Sequence, residues 1–252
     1  MMYKASLAVL GTGASFQKPE DARMFDREGC DMEADLLPSR LRCRTSVATK
    51  VAFAAAERAC LSAGITPSAL PVIFTSSLGE IDVADKLCSD IAQQHFPISP
   101  TRFHNSVHNT ASGYWSISVG TRHPAMAMAA YQDSFALALL EAWSQLHTIE
   151  DKILLVCYEE TPPQQMLPGN DWIGCAVAFV LASGQASEGG VTSLSMPYCE
   201  HTEHSEQDYS DGSPVLAAIA LLDALEQGRA GKVQISPSAD NTWFAELFHQ
   251  HG

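Results

Sequence analysis

The sequence predicts a layered α/β fold, a central sheet covered by helices, and three observations carry that reading. Short β-branched or apolar runs alternate along the chain with longer segments of helical periodicity. Of the 252 residues, 46% are hydrophobic and 17% charged, which supplies a core and argues against disorder. The length suits one large domain or two small ones.

The elements follow in order. A first strand is expected over residues 5–10, from the apolar run ending in Val9 and Leu10. Gly11-Thr12-Gly13 then has the form of a tight turn; the third glycine of a dinucleotide loop is missing, because Phe16 stands in its place. Residues 16–44 carry many charges and few periodic apolar side chains, so loops or a surface excursion are expected. An Ala-rich helix over 45–63 stops at Gly64 and is entered through Arg40, Arg42 and Arg44. Those arginines suit either an anionic partner or a solvated approach to the helix. Further strands are expected at 71–75, 125–130, 152–158 and 175–182, and further helices at 82–94, 110–119, 134–146 and 214–227. The polar stretch 184–212 suits a loop or a strand-plus-loop excursion. In the tail, 235–252, Trp243, Phe244, Leu247 and Phe248 fall at helical spacing, so a terminal helix is expected there.

Charge and motifs narrow the function. Lys and Arg total 15 against 29 Asp and Glu, a net charge of −14 that repels phosphate backbones and argues against nucleic acid. No apolar run is long enough for a membrane span, and the N-terminal residues lack a convincing cleavage site. Seven scattered cysteines, odd in number and never spaced CxxC, suit reduced thiols in a cytoplasmic protein. His104 and His108 lie four apart but lack the glutamate of a zinc helix, so interior or interface histidines are expected. Cys199, Glu200, His201 and His204 fall in a solvated acidic stretch with no second ligand cluster. There is no G-x-S-x-G elbow to select a hydrolase triad. No metal and no cofactor are implied.

The most informative window runs from Ser99-Pro100 to Ser134. It resembles the core of the β-ketoacyl synthase N-terminal half, where a Ser-Pro segment leads to a helix with an Asn, a small residue and a Gly. Asn109, Ser112 and Gly113 match these. A Gly-x-Arg-x-Pro turn follows in the family (Gly120, Arg122 and Pro124 here), then a strand, then the nucleophile at a strand-to-helix elbow. Residues 37–50 resemble the family's Arg-rich entry to its first long helix. Phe74-Thr75-Ser76-Ser77-Leu78-Gly79 resembles the strand and Gly turn after that helix. The match covers most of residues 5–182. It implies a thiolase-like layered αβα fold, shortened relative to a full ketosynthase. A single domain over 1–252 would comprise an N-terminal ketosynthase core, 1–183, and a reduced C-terminal portion, 184–252.

Departures from the family carry the functional expectation. The condensing enzymes hold a cysteine at the elbow, where a helix N-terminus lowers the thiol pKa. An ungapped match from Ser99-Pro100 places Gln132 there, and an amide cannot be acylated by a thioester. Beyond residue 185 the family's Pro-Thr-x-His-Thr-like and Asn-x-Phe-Gly-Phe-Gly-Gly-like runs are missing. A glutamine at this position is what chain-length factors show, the inactive ketosynthase homologues of bacterial polyketide systems. The small size resembles the ketosynthase-like proteins of aryl polyene pathways. The resemblance therefore implies a non-catalytic chain-length factor that heterodimerises with an active β-ketoacyl-ACP synthase and meets the acyl carrier protein indirectly. Its strand 125–131 would pair across the dimer, with Met126, Met128, Tyr131 and Gln132 on or beside it. Phe103, Ser106, His108, Asn109 and Tyr114 would line the interface or tunnel. Met126, Met128, Phe103 and Trp115 would form an adjoining apolar surface. Two alternatives stand beside this reading. One is a stand-alone acyltransferase or thioesterase with a relocated nucleophile such as Ser134 or Cys157; the other is a homodimeric acyl-binding protein.

Overall fold

The computed structural model describes residues 6–184, 192–201, 212–238 and 241–249. In chain order the strands are β1 (Ser6–Phe16), β2 (Val72–Thr75), β3 (Ala125–Met128), β4 (Lys152–Glu159), β5 (Cys175–Ser183), β6 (Thr192–Ser195), β7 (Tyr198–His201), β8 (Gly231–Gln234) and β9 (Asn241–His249). The helices are α1 (Pro19–Met24), α2 (Ser39–Arg42), α3 (Val47–Ala63), α4 (Ile81–Ala92), α5 (Pro100–His104), α6 (Thr110–Val119), α7 (Ser134–Leu146) and α8 (Pro214–Glu226).

All nine described strands join one sheet in the order β3-β2-β4-β5-β1-β6-β9-β7, with β8 also paired to β9. β2 runs parallel to β3 and β4, while β5 runs antiparallel to β4 and β1. β4 and β5 are buried on both faces, which is why they read as unbroken apolar runs rather than as alternating ones. Their alternation instead sorts residues between two cores. Ile153, Leu155, Val177 and Phe179 pack under α7 and α8, and Leu154, Val156, Ala178 and Val180 pack under α3 and α6. The layered αβα architecture follows.

Three expectations are corrected. Gly11 and Gly13 form no turn; they lie within β1, which continues to Phe16. A Cβ on Gly11 would come within 2.6 Å of the Ala59 carbonyl oxygen, and one on Gly13 would collide with that of Ala55. The glycines therefore seat the alanine-rich face of α3 directly on the strand, a close-approach role. The excursion at 16–44 contains two short helices, α1 and α2. The tail folds as strand β9 rather than a helix, because β6, β7 and β8 all supply backbone partners to it. Its apolar side chains then divide with period two. Trp243, Ala245 and Leu247 join the core under α8, whereas Phe244 packs on Tyr198 with ring centroids 6.1 Å apart.

β3 stands at one end of the sheet, paired to β2 alone among the described strands, with Met126 37% exposed. No helix among the described residues is long and apolar enough to cross a membrane.

Candidate functional site

Beyond β3 the chain enters a 3-10 turn, Tyr131–Asp133, and passes directly into α7. The turn is pinned from inside. The Ser134 hydroxyl donates to the Tyr131 carbonyl at 2.6 Å and accepts from the Ala130 N–H at 2.9 Å. Thr75 at the end of β2 donates to the Ser134 carbonyl at 3.0 Å. Tyr131 is held at φ 52°, a left-handed conformation that strains a residue with a side chain. This is the strand-to-helix elbow, and Gln132 follows Tyr131 on it.

Gln132 and Tyr131 line a cleft of about 510 Å³ whose other walls include Trp172, Ile173, Ser213 and Leu216. Among the described residues its lining contains neither cysteine nor histidine. The two relocated nucleophiles are committed elsewhere. Ser134 is 1% exposed, with its hydroxyl used to hold the elbow. Cys157 is fully buried on β4, and burial, reinforced by Glu159, pushes its thiol well above the usual range. A thiol held protonated in the core is a poor nucleophile.

The expected site residues fall into two groups. Met126, Met128, Tyr131 and Gln132 follow one another along β3 and the elbow. Met126 and Tyr131 are exposed, whereas Met128 leans into the core beneath α7. Phe103, Ser106, His108 and Asn109 lie on α5 and the turn before α6, with Phe103 68% exposed. Ser106 donates to the Phe103 carbonyl at 2.8 Å, and the Asn109 carbonyl accepts from the Ser112 hydroxyl at 3.0 Å. Tyr114 belongs to neither group. It is buried, its hydroxyl donating to Asn105 Oδ1 at 2.9 Å, so it packs inside this subunit. Trp115, fully buried against Phe53 at 5.1 Å between centroids, is likewise core rather than surface. His104 and His108 are parted by the chain's bend after α5. His104 meets the Tyr114 ring, while His108 reaches the Ser76 carbonyl.

Ser76 joins the two groups. Its N–H donates to the Met128 carbonyl at 3.3 Å, and its carbonyl accepts from His108 Nε2 at 2.9 Å. Its hydroxyl donates to Glu159 Oε2 at 3.0 Å and accepts from the Gly79 N–H at 2.7 Å.

That network exposes a feature not anticipated from the sequence: three buried carboxyls, Glu80, Glu159 and Glu160, at the C-terminal ends of β2 and β4. Glu159 accepts from the N–H groups of Ser77 and Leu78 as well as from Ser76. Glu160 accepts from the Asp82 N–H at 2.9 Å and the Ala48 N–H at 3.3 Å, the first turns of α4 and α3. Glu80 accepts from the Thr49 hydroxyl at 2.8 Å, and its Oε2 has no hydrogen-bond partner among the described residues. Burial pushes Glu159 up to about 8, against the pull of its three donors, and pushes Glu80 and Glu160 up to about 7. The signal available in the sequence was two adjacent acids ending an apolar strand, immediately before Thr161-Pro162-Pro163.

Among the described residues no group of three or more His, Cys, Asp or Glu side chains is arranged to hold a metal ion. Cys199, Glu200 and His201 lie along β7; His204 lies outside the described residues.

Comparison with known proteins gives one family match, to the model described as Beta-ketoacyl synthase, N-terminal domain, over residues 16–243. No curated protein sequence matches the chain. Among solved structures, the chain is similar to one from the complex of the ketosynthase ApeO with its chain length factor ApeC from Xenorhabdus doucetiae. That similarity has a TM-score of 0.72 at 21% identity and covers 96% of this chain and 99% of that one. The AntDE:AntF structure, a type II PKS acyl-carrier protein in complex with its ketosynthase, gives 0.67 at 10% identity over 97% and 99%. The ishigamide ketosynthase/chain length factor gives 0.61 at 16% over 88% and 73%. At these identities the likeness establishes the fold, which is thiolase-like.

Proposed function

The chain belongs to the β-ketoacyl synthase family, through the N-terminal domain of that family, and we propose that it is a chain-length factor. In this reading it is a non-catalytic subunit that heterodimerises with an active β-ketoacyl-ACP synthase in the cytoplasm. It shapes the partner's acyl tunnel in aryl polyene biosynthesis.

Gln132 carries the reading. The elbow, its internal hydrogen bonds and its strained backbone are all present, yet the side chain offered to the cleft is a neutral amide. An amide cannot form the acyl-enzyme on which condensation depends. Among the described residues the cleft also offers no imidazole to drive proton transfer. The open edge of β3 supports the partner half of the proposal. An exposed parallel strand with Met126 beside it invites pairing with another chain, and the elbow and the 105–109 turn flank it through Ser76. The carrier protein, itself acidic, docks on the partner rather than on a chain of net charge −14.

The test is co-expression with an active ketosynthase. A soluble 1:1 complex by size-exclusion with light scattering, a condensation product only when both chains are present, and no acyl adduct on this chain by mass spectrometry are expected. An acyl-thioester or ester adduct on this chain, or condensation by the chain alone, would overturn the proposal.

A further inference from the structure

Three donors converge at the end of β4. The consecutive N–H groups of Ser77 and Leu78 and the hydroxyl of Ser76 form a concavity of the kind that receives anions, and the Glu159 carboxylate fills it. Ser77 donates to Oε1, whereas Ser76 and Leu78 donate to Oε2, so both oxygens act as acceptors. A carboxyl group offers an oxygen at both positions, where an amide would offer one.

What the carboxylate holds is the 76–79 loop, and the loop holds His108. The Ser76 carbonyl can only accept, so His108 Nε2 carries the proton in their 2.9 Å hydrogen bond. Gly79, at φ +60°, lets the imidazole lie against the loop; a Cβ there would stand 3.0 Å from His108 Cδ2. The stretch carrying His108 is anchored at both ends by buried side chains. Asn105 donates to the Arg44 carbonyl, and Thr110 donates to the Val107 carbonyl at 2.7 Å. Between these anchors Val107 is 48% exposed and Asn109 is exposed, and His108 supplies the tether to the β2 loop.

We propose that Glu159 is a positioning residue. By filling the concavity of the 76–78 loop it fixes the Ser76 carbonyl, and with it His108 and the 105–109 turn, and so sets where that turn meets the partner's acyl chain. The inference rests on the chain-length-factor reading for its consequence, but the linkage from Glu159 to His108 stands on this chain's own geometry. Glu159 touches no substrate and acts through His108.

An amide is nearly isosteric with the carboxylate but accepts on one atom only. In either orientation Glu159→Gln turns an NH₂ toward the N–H of Ser77 or Leu78 and leaves that donor unpaired. The loop then loosens, and the Ser76 carbonyl no longer holds the imidazole. Two readouts test this. In the isolated chain, ¹⁵N NMR of the histidine rings follows the Nε2–H of His108. It is expected to be protected from exchange in the wild type and to lose at least about tenfold of that protection in Glu159→Gln. In the co-expressed complex, Glu159→Gln and His108→Ala are each expected to broaden the product-length distribution while a 1:1 complex persists. The double variant is expected to match His108→Ala alone, because Glu159 works through that residue. Ser76→Ala, which removes only the hydroxyl, carries the same expectation at smaller amplitude and serves if Glu159→Gln does not fold.

Wild-type product lengths and an unchanged His108 signal in the folded variants would overturn the proposal, as would additive effects in the double variant. If the wild-type chain forms no complex with a ketosynthase, the proposed function fails. The exchange measurement then decides the Glu159–His108 linkage by itself.

Discussion

Glu160→Gln is the perturbation that most directly tests how the buried carboxyls act on stability. Glu160 is 2% exposed between the first turns of α3 and α4, receiving N–H groups from Ala48 and Asp82. The groups facing it are Glu80, Glu159, Asp82 and Lys86; burial dominates and lifts its carboxyl from 4.5 to about 7. The folded chain therefore keeps a proton that the unfolded chain releases above 4.5. The stability this contributes is full below 4.5 and is lost as the pH rises through 7. Integrated from pH 5.5 to pH 8, one group with this shift is worth about 2 kcal/mol. Glutamine is neutral at every pH, so it should remove that part of the pH dependence. The assay is urea unfolding of both proteins at several pH values across this window. The wild type should weaken as the pH rises, with Glu80 and Glu159 adding to the trend in the same direction. The difference between Glu160→Gln and the wild type should move in the variant's favour by about 2 kcal/mol from pH 5.5 to pH 8, whatever constant cost the amide carries from leaving the Ala48 or Asp82 N–H unpaired. Parallel stability curves, or a wild type that strengthens toward pH 8, would show that Glu160 does not titrate in this way.

The other predictions concern packing, surface and interface. Gly13→Ala should destabilise by about 2–4 kcal/mol in denaturant unfolding, because the new Cβ meets the backbone of α3. Gly113→Ala on α6 meets nothing within 4 Å and should instead stabilise by about 0.5–1 kcal/mol; equal effects at the two sites would refute the packing argument. Thiol titration of the native protein should label Cys43, Cys88 and Cys199 readily. Cys60, Cys157 and Cys175 should react only on unfolding, and rapid native labelling of Cys157 would mean that β4 is not buried as described. Met126→Asp, a charge on the exposed edge strand, should abolish the complex with a ketosynthase in light scattering while leaving this chain folded. A complex that survives it would place the interface elsewhere. Met126 serves this purpose better than Met128, whose side chain leans into this subunit's own core.

The parts of the fold legible in the sequence are those in which local pattern and tertiary demand agree. α6 and α7 match their expected bounds: α6 stops at Gly120 in the left-handed C-cap conformation, and α7 buries Phe135, Ala138, Leu139, Ala142 and Leu146. β4 and β5 are legible as apolar runs because both of their faces are covered. The failures have a common cause, in that the deciding partner was remote. Gly11-Thr12-Gly13 looks like a turn until α3 is laid across it. Trp243, Phe244, Leu247 and Phe248 fit a helix until three strands compete for the backbone of β9. Hydrogen bonding to neighbouring strands then outweighs a side-chain spacing that fits either element equally well.

The site divides along the same line. A strand-to-helix turn around Gln132 could be read from order and spacing alone, since it is a local device: a strand, a strained residue and a helix start within a few positions. Tyr114 could not be assigned to core or surface from α6 alone, because remote partners, Asn105 and the core, claim its hydroxyl and ring. Glu159 and Glu160 escaped because an acidic pair ordinarily marks a solvated strand end. Here the pair continues β4 past its last apolar residues, and the strand's twofold alternation sends adjacent side chains to opposite sides. Glu159 turns to the β2 loop and Glu160 to the first turns of α3 and α4. Two identical neighbours thus meet different donors and hold different parts of the molecule. Replacing Glu160 should register as an altered stability profile, and replacing Glu159 as a displaced His108. If the two substitutions instead gave the same phenotype in both assays, the division between a stabilising and a positioning carboxylate would collapse into a single shared role.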